Sequence, residues 1–352
     1  MASQEQHAEP ADLNPVIVGE LEDGWVTSRP PRALEAVQRV FRFPWVLARH
    51  RDLITSSVKR ELATRFQGTL LGFLWPLVHP LFIFAVYYFI FTKLLSFKMP
   101  NLEPGQESAM GVYMFVGVVV WAAFGESLGR GCTVIVDNGN LIKKLAFPTE
   151  VLPLNIVLAN IVTMLFGIGM FILATVATPV WAAPGIGLLW IPLLLVLQIL
   201  FTYGLAMFLA TLQVFLRDTA QVVSILVTVW MFVTPLFWVP EVIPEIAPYL
   251  SWIEANPMNH LVYAWREVLM GVQGVLDEAL IYTNTEAIPN INRGIDEAIA
   301  AGLDPGKEKL DPLVYVHSFT GSIQAFAAWA VGTFVAGYAF FIVAQRRFAD
   351  EV

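Results

Sequence analysis

Three groups of polar residues interrupt an otherwise apolar chain, and each could do a different chemistry. Glu254, Asn256, Pro257, His260, Arg266 and Glu267 fall in one segment. An imidazole between carboxylates could serve general acid–base catalysis, as in a membrane-embedded transferase acting on a lipid-linked sugar. Glu126 and Arg130 stand four apart, so a helix places them on one face, Glu first, the better order for an ion pair. Lys143, Lys144 and Glu150 belong to NLIKKLAFPTEVLP, residues 140–153, a short charged element bounded by prolines. His79 stands without a second histidine or a carboxylate at ligand spacing, so no metal site is expected.

The missing motifs narrow the choice. The one Gly-Lys pair, Gly306-Lys307, is followed by Glu308, so no phosphate-cradling loop for ATP is expected in this chain. No cofactor and no nucleic acid are expected partners. Carboxylates are nearly absent from the apolar runs, whereas proton or sodium coupling needs buried ones. The energy for any transport must therefore arrive from another subunit.

The elements that position these residues are apolar helices. The 352 residues are 57% hydrophobic and 14% charged, against about 25% charged in average soluble domains. Runs without Asp, Glu, Lys or Arg cover 68–92, 108–125, 151–216, 219–240 and 312–345. A spanning helix needs roughly 20 residues. The run 151–216 carries Pro179, Pro184 and Gly185 near its middle and divides in two. The expected fold is an all-α membrane protein with six spans, near 70–92, 108–130, 152–178, 187–215, 219–240 and 315–345. The membrane domain as a whole covers 68–347.

The flanking segments have distinct characters. Residues 1–30 hold six acidic residues and one arginine, and read as a disordered acidic tail with no signal peptide. Residues 31–66 form an amphipathic basic region, with Ile54, Val58 and Leu62 on one stripe. Residues 241–274 contain prolines and an apolar stretch too short to span, so short re-entrant helices are expected there. Residues 275–311 form an external polar insertion, and 348–352 a short tail. With the amino terminus inside, fifteen of the 21 basic residues fall in inside segments. That bias places both termini in the cytoplasm.

Several stretches together resemble a known family. RDLITSSVKRELATRFQGTLLGFLWPLVHPL (51–81), NGNLIKKLAFPTEVLPL (138–154), LRDTAQ (216–221), NPMNHLVYAWREVLMG (256–271) and RRFADEV (346–352) resemble, in order, the ABC-2 type permeases of the Wzm and TagG type. Those permeases export O-antigen, teichoic acid and capsule-like polysaccharides. The acidic tail and the 275–311 insertion depart from the family pattern.

The resemblance implies a homodimer in the bacterial inner membrane with a channel between protomers. Each protomer would pair with a Wzt-like ABC ATPase subunit in a two-plus-two complex, ATP and Mg being bound on that partner. Asn140, Leu141, Lys143, Lys144, Phe147, Pro148 and Glu150 would form the coupling loop. Spans one and five would line the channel. Trp75, Phe82 and Phe89 recur every seven residues in span one, while Phe84, Tyr88 and Phe91 form a second row. Trp230, Phe237 and Trp238 are their counterparts in span five. Aromatic faces offer a sliding lipid-linked polysaccharide weak, repeated apolar contact. Membrane lipids would meet the remaining aromatics.

Overall fold

The computed structural model describes residues 48–68, 70–75, 78, 82, 85–94, 109–144, 148–177, 185–240, 249–270, 293, 297, 300 and 319–351. The acidic tail, residues 31–47, Phe84, Phe147, residues 241–248 and nearly all of the 275–311 insertion lie outside them. All regular structure among the described residues is helical. In chain order the helices are α1 (Arg51–Phe66), α2 (Ala109–Asp137), α3 (Gly139–Lys144), α4 (Val151–Ala177), α5 (Ile191–Phe215) and α6 (Thr219–Val233). There follow α7 (Leu250–Glu254), α8 (Pro257–Met270), α9 (Phe319–Ala344) and α10 (Phe348–Glu351).

α2 is the central post of the bundle. Every residue from Met110 to Val120 is buried, as expected of a helix apolar on all sides. It packs against α4, α5, α6 and α8. α5 and α9 form the most extensive helix pair. Two glycines permit their close crossing. A Cβ on Gly204 would lie 2.6 Å from the backbone of Phe334, and one on Gly337 would collide with the Gly204 carbonyl. Small residues at such a crossing let helix backbones touch where lipid offers no hydrophobic driving force. Ring pairs Phe201–Phe326, Tyr203–Phe334 and Phe208–Phe340 flank it, with centroids 5.2 to 5.9 Å apart.

The bundle has two distinct ends. α1 lies against α4, and α10 lies against α3, so the first and last described helices share one end. α7 and α8 occupy the other end, where α8 meets the starts of α2 and α9 and the 3₁₀ turn Ile186–Trp190 that leads into α5. Large apolar side chains face outward along the bundle, among them Leu173, Val176, Val196, Val331 and Val343. Apolar surface on this scale suits lipid rather than water.

Among the described residues, four helical stretches are long and apolar enough to cross a membrane, within 110–137, 151–176, 186–215 and 319–344. Of the first expected span the described residues include a 3₁₀ turn at Gly72–Leu74 and a π turn at Tyr88–Leu94, and much of the rest lies outside them. Gly68 and Gly72 sit at φ of 75° and 47°, which breaks helix continuity after α1. The fifth stops at Val233 rather than running to Pro240. Thr234 precedes Pro235, and the proline ring drives it to extended backbone, φ −78° and ψ 135°. The second span, expected to end near 130, continues to Asp137.

The α5–α9 crossing generates a prediction. Gly337→Val should destabilise the protein by more than the ~1–3 kcal/mol typical of overpacking, because the obstacle is backbone. Gly332→Val, where a Cβ meets nothing within 4 Å, should be near neutral. Thermal unfolding of both variants in detergent checks this.

Candidate functional site

Within residues 140–153, the described parts are a short helix that ends at Lys144 and a turn that starts at Pro148. Asn138 starts the helix, its carbonyl accepting the amides of Leu141 and Ile142 at 2.9 and 3.1 Å. Leu141 and Ile142 are half-buried against the core, while Asn140 and Lys143 are exposed. Lys144 ends the helix. Pro148 is half-buried, and its carbonyl accepts the Val151 amide at 3.0 Å. Glu150 is buried rather than presented, 5% exposed. Its carbonyl receives the Tyr203 hydroxyl of α5 at 2.9 Å. Gln345 donates to Thr149 Oγ1 at 2.7 Å, which ties the turn to the end of α9. α3 is thus an exposed amide-and-lysine face on a firmly pinned base.

Glu126 and Arg130 differ from the simple pair the spacing suggests. Their contact is 4.0 Å, at the limit of an ion pair. Better partners come from α1: Arg65 lies 3.1 Å from Glu126, and Arg130 pairs with Glu61. Arg65 also donates to Asn160 Oδ1 of α4 at 2.9 Å, and Asn160 donates to Ser127 Oγ at 3.0 Å. The periodicity of α1 identified its apolar stripe but not this polar seam. Gly125–Gly129 reads GESLG, the spacing of a hydrolase nucleophile elbow. It lies in mid-helix, and Ser127 donates to the Ala123 carbonyl at 2.6 Å, so it has neither the strained turn nor a base.

At the opposite end, α8 is buried along its entire length. Asn256 caps it, its Oδ1 accepting the Met258 amide at 3.0 Å, with Pro257 in the first turn. The same oxygen accepts the Trp230 indole N–H at 2.8 Å, and Asn256 Nδ2 donates to Thr234 Oγ1 at 3.0 Å. His260 Nε2 donates to the Glu254 carbonyl at 2.7 Å. Trp265 Nε1 donates to Gln198 of α5 at 2.9 Å. Arg266 is 3% exposed and donates to three backbone carbonyls: Tyr113 at 3.1 Å, Pro235 at 2.7 Å and Leu236 at 3.2 Å. Its guanidinium also lies 3.3 Å from the centre of the Tyr113 ring. Gly117 leaves the room, since a Cβ there would come within 2.6 Å of Nη2.

This geometry assigns the cluster a structural role. Arg266 supplies donors to carbonyls freed where α6 breaks, the need that irregular backbone creates in a membrane protein. With Arg266 so occupied and His260 Nε2 tied to backbone in a helix buried along its entire length, the geometry does not favour the transferase chemistry considered for this segment.

The expected channel aromatics divide. Trp75, Phe82 and Phe89 are exposed, whereas Tyr88 and Phe91 are half-buried. Lys93 Nζ lies 5.8 Å above the Tyr88 ring. Tyr87, which the rows passed over, joins the two spans, 6.1 Å from Phe91 and 5.7 Å from Phe237. Trp230 belongs to the interior, edge-on to Trp121 and Phe124 at 6.1 and 5.3 Å. Trp238 Nε1 donates to the Phe232 carbonyl at 3.1 Å.

Arg266→Lys should lose ~3 kcal/mol of stability, because donors on a single nitrogen cannot reach carbonyls set around a planar fork and each buried orphan costs ~1–3 kcal/mol. Thermal unfolding in detergent, with Arg130→Lys as comparison, reads the difference.

Comparison with known proteins adds to this geometry. The ABC-2 type transporter family matches residues 52–270, from the start of α1 to the end of α8. An O-antigen export system permease protein of Myxococcus xanthus is 31% identical over 222 residues, 63% of this chain and 82% of that protein. Two such proteins of Klebsiella pneumoniae are 29% identical, over 231 and 236 residues, covering 62% and 64% of this chain and 80% and 82% of theirs. The apolar bundle and a family match over most of its length agree: this chain is a multi-pass membrane protein that belongs to the ABC-2 type transporter family.

Proposed function

We propose that this chain is the membrane-spanning subunit of an ATP-driven exporter that moves a lipid-linked polysaccharide of the O-antigen class out of the cytoplasm. The observation that carries this is the likeness to O-antigen export permeases across about four fifths of their length. The absence of a phosphate-cradling motif agrees, since ATP and Mg then belong to a Wzt-like ATPase subunit. The chain resides in the bacterial inner membrane. The end bearing α1, α3 and α10 faces the cytoplasm, a side favoured by Lys143, Arg217 and the basic residues of α1.

α3 is the contact for the ATPase. Its exposed Asn140 and Lys143 dock on the partner, and its pinned base passes the partner's motion into α2 and α5. Two protomers face each other across the first span and α6. On α6 only Val223 is buried, and Ile225, Leu226, Val229 and Phe232 project outward. Between the copies, Trp75, Phe82 and Phe89 offer the polymer apolar faces without trapping hydrogen bonds.

Lys143→Glu combined with Lys144→Glu should leave folding intact and weaken recruitment of the ATPase by about tenfold, a loss of ~1.4 kcal/mol. Co-purification and polymer export from proteoliposomes should fall together. Normal recruitment and export in the double variant would remove α3 from the coupling role.

A further inference from the structure

We infer that Glu61, Arg65, Glu126 and Arg130 form an ion lock that makes α1 move with the body carrying α3, and so act as positioning residues in energy coupling. The inference rests on the export function proposed above. The four charges alternate in sign across two helices. Arg130 bridges Glu61 and Glu126, and Arg65 lies 3.1 Å from Glu126. Asn160 and Ser127 extend the seam into α4 and α2.

Three further features give this seam leverage. First, α2 runs unbroken from Arg130 to Asp137, about two turns, and Asn138 joins it directly to α3. A displacement of α3 therefore arrives at Glu126 and Arg130 through a rigid rod. Second, α1 otherwise holds to the bundle by a narrow apolar stripe, Ile54 in the core with Leu53 and Val58 packed against it. Among its described side chains only Ile54 and Ser57 are buried. Third, α1 is not continuous with the first span. Gln67 is extended, and Gly68 and Gly72 take left-handed φ with nothing within 4 Å of either Cβ position. Backbone of this kind does not extend α1, so α1 takes its position from the seam and from its apolar stripe on α4.

Arg65 also has donors to spare. Its Nε and Nη2 are buried without a hydrogen-bond partner among the described residues. Burial pulls its pKa below the usual arginine value, with Glu126 and Glu61 opposing and Arg130 adding to the shift. It remains a cation at neutral pH.

The test uses the full complex with its ATPase in nanodiscs. One set contains lipid-linked polysaccharide extracted from the native host, the other phosphatidylglycerol alone. Glu126→Gln and Arg65→Gln are compared with wild type and with a four-way inversion, Glu61→Arg, Arg65→Glu, Glu126→Arg and Arg130→Glu. Neutralisation should raise amide exchange in α1 by about tenfold while exchange in α4 and basal ATP hydrolysis stay unchanged. Stimulation by polymer should fall towards the level without polymer. The inversion should restore both. Unchanged exchange in α1 would overturn the lock, and raised exchange with intact stimulation would overturn its role in coupling. Should wild type show no stimulation, the export function fails, and the exchange result alone still decides the lock, a rise supporting it and no change overturning it.

Discussion

A backbone carbonyl in lipid must find a donor inside the protein. That constraint organises the end of the bundle formed by α7 and α8. α6 spans only 15 residues, about 22 Å, short of the ~30 Å hydrocarbon core. Its early stop at Pro235 frees carbonyls that no helix can satisfy. Arg266 answers with a planar fork to Pro235, Leu236 and Tyr113. Asn256 closes the same break from the other side through Thr234 and Trp230. α8 is consequently sealed within the bundle, and it ties α2, α5, α6 and α9 into one body.

The other end uses charge rather than backbone repair. α1 lies on α4 through few apolar contacts and a run of alternating charges. Such pairs are half in water, and each contributes little by itself. They fix position more than stability.

Apolar helices were legible in the sequence wherever charge-free runs exceeded the needs of one span, as at Val151–Ala177 and Phe319–Ala344. Their ends were less so. Run length cannot show that Glu126 and Arg130 remain in helix once their charges are met from α1, because that partnership spans 69 residues of sequence. Pro235 was a readable signal for the early end of α6, but the run of apolar residues after it masked the break. Among the site residues, Lys143 and Asn140 are exposed as a docking element needs, while Glu150 turned inward. Arg266 looked chemical in the sequence because a lone charge in an apolar segment has no visible partner. Its partners are main-chain carbonyls, which carry no sequence signature. Trp230 is half-buried and packs edge-on against Trp121 and Phe124, neighbours that its own sequence position does not reveal.

The most direct measurement of the export account is ATP hydrolysis by the complex of this chain with the ATPase encoded beside it, reconstituted with and without lipid-linked polysaccharide. The account predicts a stable two-plus-two assembly whose hydrolysis rises when the polymer is present. Failure of the chain to bind any ATPase, with turnover of a lipid-linked sugar by the isolated protein, would contradict it.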